Sequence, residues 1–108
     1  MSVVLLDTKS HVRLRLQPWQ VKLFLSELAF TRKRRATKGM TVLSEPACLI
    51  TVSGSGGRKQ LYQLYDRTVL FEPKSNQARP FYFGIMLMEW LLAAQPRLPP
   101  QKPFNPVP

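Results

Sequence analysis

Residues 47–65 read ACLITVSGSGGRKQLYQLY, and this stretch decides the fold of the chain. Residues 47–53 are rich in side chains that favour strands, and residues 60–65 form a second strand candidate. The glycine-rich segment 54–57 between them predicts a flexible turn. A third strand candidate, residues 68–71, follows closely along the chain. The middle of the sequence therefore predicts an antiparallel meander.

The N-terminal residues predict a hairpin that adds two more strands. Residues 3–6 form a continuous apolar run, which suits a buried strand. Aliphatic residues at positions 12, 14 and 16 alternate with Arg13 and Arg15, and this period of two is typical of a strand with one buried face. We therefore expect the two arginines on the solvent face.

Two helices are predicted, one on either side of the meander. Pro18 suits the first turn of a helix. Four apolar residues then recur at helical spacing and predict an amphipathic helix that ends near Phe30: Val21, Phe24, Leu25 and Leu28. Residues 81–94 predict a second helix, which is apolar almost all round because Glu89 is its one charged residue.

The second helix presents two apolar stripes. The first, which we expect in the core, consists of Phe81, Ile85, Met88 and Leu92. The second has two open interpretations, core packing or an interface with a partner or a second copy of the chain, because exposed aromatic and methionine patches mark contact sites. This candidate interface consists of Tyr82, Met86 and Trp90.

Together these elements predict an α+β fold, with a small antiparallel sheet of about five strands and two helices. Residues 1–95 are expected to form one domain, and residues 73–80 within it a polar connection. Residues 96–108 include six prolines and are expected to form an extended, proline-rich tail. Such a tail serves either as a spacer or as a peptide that a partner recognises.

Positive charge dominates the composition. Sixteen Lys and Arg against six Asp and Glu give a net charge of +10, and residues 32–38, RKRRATK, supply half of that excess. A run this basic faces water or a polyanion, because burial would strip its charges of hydration. The dipole of the preceding helix favours some cations at this position, but five exceed that need. The predicted nucleic-acid-binding residues are Arg32, Lys33, Arg34, Arg35 and Lys38 in this run, Arg58 and Lys59 behind the glycine turn, and Arg13 and Arg15 in the first hairpin.

Residues that carry catalysis or bind metal ions are sparse in the sequence. His11 and Cys48 are the single histidine and the single cysteine, and the six acidic residues show no metal-ligand spacing. The segment 54–59, GSGGRK, lacks the spacing of a phosphate-binding P-loop and precedes a strand candidate rather than a helix. We therefore expect neither an enzyme nor a bound metal or cofactor, and we expect Cys48 to be buried.

The composition predicts a small basic accessory or regulatory protein that binds DNA or RNA, mainly through the phosphate backbone. Tyr62, Tyr65 and Trp19 either stack on unpaired bases or pack in the core. The alternative is an adaptor or a subunit of a larger assembly, which would use the apolar helix, the tail and an acidic partner surface docked on the basic run. No apolar stretch is long enough to span a membrane, and the absence of a signal-peptide pattern indicates the cytoplasm, or the nucleus in a eukaryote.

Overall fold

The structure, a computed structural model, describes residues 1–32, 37–38 and 45–95. The described residues form seven strands and two helices. The strands are β1 (Ser2–Asp7), β2 (Arg13–Arg15), β3 (Thr37–Lys38), β4 (Cys48–Ser53), β5 (Lys59–Tyr65), β6 (Val69–Glu72) and β7 (Gln77–Pro80), and the helices are α1 (Pro18–Arg32) and α2 (Gly84–Ala94). The predicted proline-rich tail, residues 96–108, lies outside the described residues.

The strands form one antiparallel sheet in the order β2-β1-β4-β5-β6-β7-β3, which confirms the predicted α+β class. The predicted hairpin at residues 47–65 is also confirmed, since Cys48 lies opposite Leu64 and Ser53 lies opposite Lys59. Its turn includes a short 3-10 segment in which Gly56 has a φ of +80°. Glycine adopts this left-handed conformation without the strain that a Cβ atom would cause.

Side chains alternate between the two faces of the sheet, as the pleat of extended strands requires. On the face that we call the helix face, strand residues such as Val3, Leu5, Ile50 and Leu64 are buried. The helices complete this core with Val21, Phe24 and Leu28 from α1 and with Leu87 and Leu91 from α2. The opposite side, which we call the open face, is covered by neither described helix.

A chain of five aromatic rings joins the two helices. The ring centroids of Trp19 in α1 and Trp90 in α2 lie 5.7 Å apart, and Trp90 lies 5.5 Å from Phe83. Phe83 then contacts Phe81, which contacts Phe24 of α1, each over 6.0 Å. All four contacts are edge-to-face, the arrangement that the ring quadrupole favours, so they fix the packing of α2 against α1 as well as burying apolar area.

The prediction that residues 73–80 form a polar connection is wrong in its second half. The chain reverses within residues 73–76, where Asn76 adopts a φ of +54°. β7 then pairs with β6 and places Ala78 opposite Phe71. A short polar segment was thus enough for a hairpin turn, and the remaining residues add a strand to the meander.

The predicted core stripe of the second helix is also wrong in part. Phe81 is buried, but Ile85 and Leu92 are exposed, because α2 buries Gly84, Leu87 and Leu91 instead. The reason is the close approach of the helix to the β5–β6 turn at Gly84. A Cβ atom there would lie 2.2 Å from the carbonyl oxygen of Arg67, so this contact sets the rotation of the helix.

Candidate nucleic-acid interface

The sheet register separates the described charges toward two ends of the strands. Ser2, Ser53 and Lys59 lie side by side near the β4–β5 turn, which marks what we call the basic end. Asp7 and Cys48 pair five residues further along, about 17 Å away at the rise of a strand, near what we call the acidic end. Successive turns of a meander alternate between ends, so the β4–β5 and β6–β7 turns emerge together at the basic end.

A depression of 1270 Å³ at the basic end is lined by three exposed cations, Arg58, Lys59 and Lys74. Leu61 and Pro73 also line it, and none of its described lining residues is acidic. Within the described chain, no hydrogen bond or ion pair engages the three cationic side chains. The depression therefore concentrates positive charge at a concave surface.

The acidic end has a groove of 640 Å³ between α2 and the neighbouring turns. Lys9 and Arg67 line this groove. Four of the six acidic residues also line it, namely Asp7, Glu45, Asp66 and Glu89. No group of three metal-ligating side chains forms among residues 1–32, 37–38 and 45–95. Among the described residues, most carboxylates thus lie at the acidic end, whereas Glu72 lies near the basic end and accepts a hydrogen bond from Gln60 over 2.9 Å.

Asp7 stabilises the acidic end through its hydrogen bonds. One carboxylate oxygen accepts from the backbone amides of Lys9 and Ser10, over 2.9 and 3.2 Å, and the other accepts from the side-chain amide of Gln95 over 3.3 Å. Burial acts to raise the pKa of Asp7, but these hydrogen bonds outweigh it and hold the pKa below its ordinary value. The carboxylate therefore fastens the β1–β2 turn to the end of α2.

Arg13 and Arg15 are exposed on β2, as the alternation predicts, and belong to the open face. Arg13 lies opposite Leu6, and Arg15 lies opposite Val4. Because β2 is an edge strand of the described sheet, these charges also discourage pairing with the edge of another sheet. They share the open face with Lys59, which the register places on the same side.

The structure describes two parts of the basic run of residues 32–38, namely Arg32 at the end of α1 and Thr37–Lys38 in β3. Within the described sheet, β3 lies at the edge opposite β2 and about 29 Å from it at the usual strand spacing, but only three strands from β5, which carries Lys59. Lys38 pairs through its backbone with Gln77 of β7. Lys33, Arg34 and Arg35 lie outside the described residues. Among the predicted binding residues that the structure describes, Arg13 and Arg15 in β2 are thus separated from Lys38 in β3 by the width of the described sheet.

Arg32 has a structural contact that the charge pattern did not reveal. Its guanidinium donates to the hydroxyl of the buried Tyr62 over 2.9 Å. Arg79 donates to the carbonyl oxygen of Arg32 over 2.8 Å and thereby satisfies one of the free carbonyls at the end of α1. A second nitrogen of Arg79 donates to Gln77 over 2.9 Å.

Three aromatic residues are candidates for base stacking, namely Tyr62, Tyr65 and Trp19, and most of them pack within the fold. Tyr62 and Tyr65 are buried, so the interpretation that they stack on bases is wrong, and Tyr65 donates its hydroxyl to Gln63 over 2.8 Å. Trp19 is 59% exposed but contacts Trp90 at the edge of the helical layer.

The predicted interface on the second helix is divided by the fold. Met86 and Tyr82 are exposed, whereas Trp90 is half-buried in the chain of aromatic rings. Tyr82 precedes the first residue of α2. The exposed apolar surface of α2 also includes Ile85 and Leu92, which sequence reasoning placed in the core.

Sequence reasoning missed two cations that the fold brings into play, Lys74 and Arg79. Lys74 follows Pro73 in a short polar segment, and a proline in such a segment is typical of a turn. In a meander that turn returns to the end occupied by Arg58 and Lys59, so a hairpin interpretation would have found it. Arg79 had no comparable signal, because its partner is a backbone carbonyl distant in sequence.

Comparisons with known proteins give no match for the chain, neither among protein-family models, nor among curated proteins, nor among solved structures. Among the described residues, neither helix has the length and apolarity that crossing a membrane requires. The function is therefore argued from the charges and surfaces of the chain itself.

Proposed function

We propose that the protein binds the phosphate backbone of nucleic acid, DNA or RNA, as a non-enzymatic accessory or regulatory protein. The observation that supports this most strongly is the depression at the basic end, where Arg58, Lys59 and Lys74 meet without an acidic lining residue in the described chain. Like charges held close together repel one another, and a bound polyanion relieves that repulsion. Each phosphate neutralised also releases condensed counterions, which favours binding at low salt.

The sorting of charge separates this proposal from a general effect of net charge. A protein that attracted polyanions through its total charge alone would respond equally to the loss of any two cations. The basic end has three cations in one depression, whereas Lys9 and Arg67 share their groove with four carboxylates. We therefore expect the loss of two cations at the basic end to reduce the affinity for nucleic acid much more than the loss of two cations at the acidic end.

Two double variants with the same change in charge test the proposal. Arg58→Gln/Lys59→Gln alters the basic end, and Lys9→Gln/Arg67→Gln alters the acidic end. Binding of a fluorescently labelled single-stranded oligonucleotide is followed by anisotropy at a series of salt concentrations. The basic-end variant should lose affinity, and the slope of log K against log salt should fall by about 1.4, since each lost phosphate contact on a single strand removes about 0.7. Equal losses of affinity in the two variants would show that the depression is not the binding site.

The basic run is tested separately, with Arg32 left in place because its guanidinium holds the Tyr62 hydroxyl. Lys33→Gln/Arg34→Gln/Arg35→Gln should weaken binding and lower the salt slope further. Unchanged binding in this variant would restrict the interface to the basic end. Far-ultraviolet circular dichroism and a thermal melt confirm in each case that the variant is folded.

A second candidate function, an adaptor that docks protein partners, is favoured by the apolar surface of α2. Ile85, Met86 and Leu92 are 44%, 41% and 68% exposed. Exposed aliphatic side chains on one helix are typical of protein contact sites when they are contiguous. Sedimentation velocity tests whether this surface pairs with a second copy, and Leu92→Glu should then shift the protein toward the monomer. A monomer at all concentrations that binds no hydrophobic dye would count against this function.

A further inference from the structure

The open face of the sheet has a groove that continues into the depression at the basic end. A cavity of 220 Å³ lies over the central strands, and its apolar lining residues include Val4, Leu6 and Leu49. Leu61 and Pro73 line both this cavity and the basic depression, so the two concave surfaces are continuous. The result is one groove that crosses the open face diagonally.

Positive charge stands at both ends of this groove. Arg13 lines the cavity, and the exposed Arg15 is on the same face two residues further along β2. Lys59 and Lys74 line the depression at the other end. The register separates Arg13 from Lys59 by four residues along the strands and three strands across, which corresponds to about 20 Å.

The floor between the charged ends is mainly apolar, with Thr51 and Gln63 as polar lining residues, and it is open to solvent at Leu61, which is 58% exposed. A nucleic-acid duplex cannot cover such a floor, because its base faces are stacked inside the double helix and phosphates surround them. A single strand exposes an apolar base face beside every phosphate. It therefore matches both the apolar floor and the cations at either end.

We infer that the groove is a binding track for single-stranded nucleic acid, with unpaired bases on the floor around Leu61 and phosphates at the cations of both ends. The inference rests on the proposed function and specifies its substrate class. It also assigns Arg13 and Arg15, which lie on this face, a role in binding the strand.

Four probes of comparable charge distinguish the occupants of the groove. They are a short oligothymidylate, an abasic strand of the same length, a duplex with the same total number of phosphates, and an oligo-glutamate peptide with the same number of carboxylates. We expect the oligothymidylate to bind about tenfold more tightly than the abasic strand, because only the first buries apolar base surface against the aliphatic floor. Duplex and peptide should compete for it weakly.

A pair of leucine variants locates the effect. Leu61→Ser removes the exposed floor residue, and Leu92→Ser removes a leucine of similar exposure on α2, 68% against 58%, as a matched control. Leu61→Ser should weaken binding of the oligothymidylate about threefold or more while leaving the abasic strand unchanged. Arg13→Gln should also weaken binding of the oligothymidylate. Thermal melts verify that each variant is folded.

The outcomes separate this inference from the proposed function. If the abasic strand, the duplex or the peptide binds as tightly as the oligothymidylate, the inference is overturned. Tight binding of the abasic strand or of the duplex would still agree with the proposed binding of phosphates at the basic end. The inference also fails if Leu61→Ser and Leu92→Ser behave alike. If none of the nucleic-acid probes binds at low salt, both the inference and the proposed function are wrong.

Discussion

The guanidinium of Arg32 donates a hydrogen bond to the hydroxyl of Tyr62 over 2.9 Å and joins the last residue of α1 to the middle of the sheet. Tyr62 is buried, and burial raises the pKa of its hydroxyl, although the hydrogen bond and the charge of Arg32 act in the opposite direction. The first cation of the basic run is therefore part of the fold as well as part of a charged surface.

Tyr62→Phe is expected to destabilise the protein by about 1 kcal/mol at neutral pH, because the Arg32 guanidinium loses its partner. The variant should also change the response to alkali. Since the pKa of Tyr62 is raised on folding, its contribution to stability is complete below the unfolded value near pH 10 and is lost as the pH rises through the folded value. Urea unfolding across this range should show a steeper loss in the wild type than in Tyr62→Phe, and parallel profiles would contradict the prediction.

Asp7→Asn should destabilise the protein by about 1–3 kcal/mol at pH 7, since two backbone amides and Gln95 lose a charged acceptor. The pKa of Asp7 is lowered on folding, so its contribution is present above the unfolded value and is lost as the pH falls through the folded value. The difference in unfolding free energy between wild type and variant should therefore shrink in acid. A difference that stays constant down to about pH 2 would show that the charge is unimportant.

Gly84→Ala is expected to destabilise the protein by about 3 kcal/mol or more, because the new Cβ atom would lie 2.2 Å from a backbone oxygen and 2.6 Å from a methyl carbon of Leu64. Gly54→Ala is the matched control. Its nearest neighbour would be 4.0 Å away and its φ of −99° suits any residue, so a change within about 0.5 kcal/mol is expected. Urea midpoints measure both effects, and equal midpoints would refute the packing of α2 described above.

Cys48 should resist modification in the folded protein. It is buried in β4, which confirms the sequence-based expectation, and burial raises the pKa of its thiol to about 12. The reactive thiolate is therefore scarce near neutral pH. Ellman's reagent should react slowly in buffer and rapidly in denaturant, and a fast reaction in buffer would show that β4 opens readily.

The sequence predicted those parts of the fold that depend on local patterns. The alternation around Arg13 and Arg15 and the helical spacing from Val21 to Leu28 both indicated the correct buried faces. The rotation of α2 was not predictable, because almost every position of that helix is apolar. The contact that fixes its rotation, Gly84 against the turn at Arg67, joins residues that lie far apart in the chain.

The candidate site was predictable only as a set of charges. Arg58 and Lys59 were identified from composition, but their grouping with Lys74 depends on the two turns that emerge at one end of the sheet. The separation of Arg13 in β2 from Lys38 in β3 likewise follows from the order of the strands, which local patterns do not specify. Topology therefore determines which cations act together.

Among the described residues, the grouping of Arg58, Lys59 and Lys74 at the basic end and of four carboxylates at the acidic end contributes an electric dipole along the strands. In the field of a polyanion, such a body experiences a torque before any contact is made. Under the proposed function, this torque would turn the β4–β5 hairpin toward the polyanion and would align the groove of the open face before contact. Salt would then slow association by disorienting the molecule as well as by weakening its attraction.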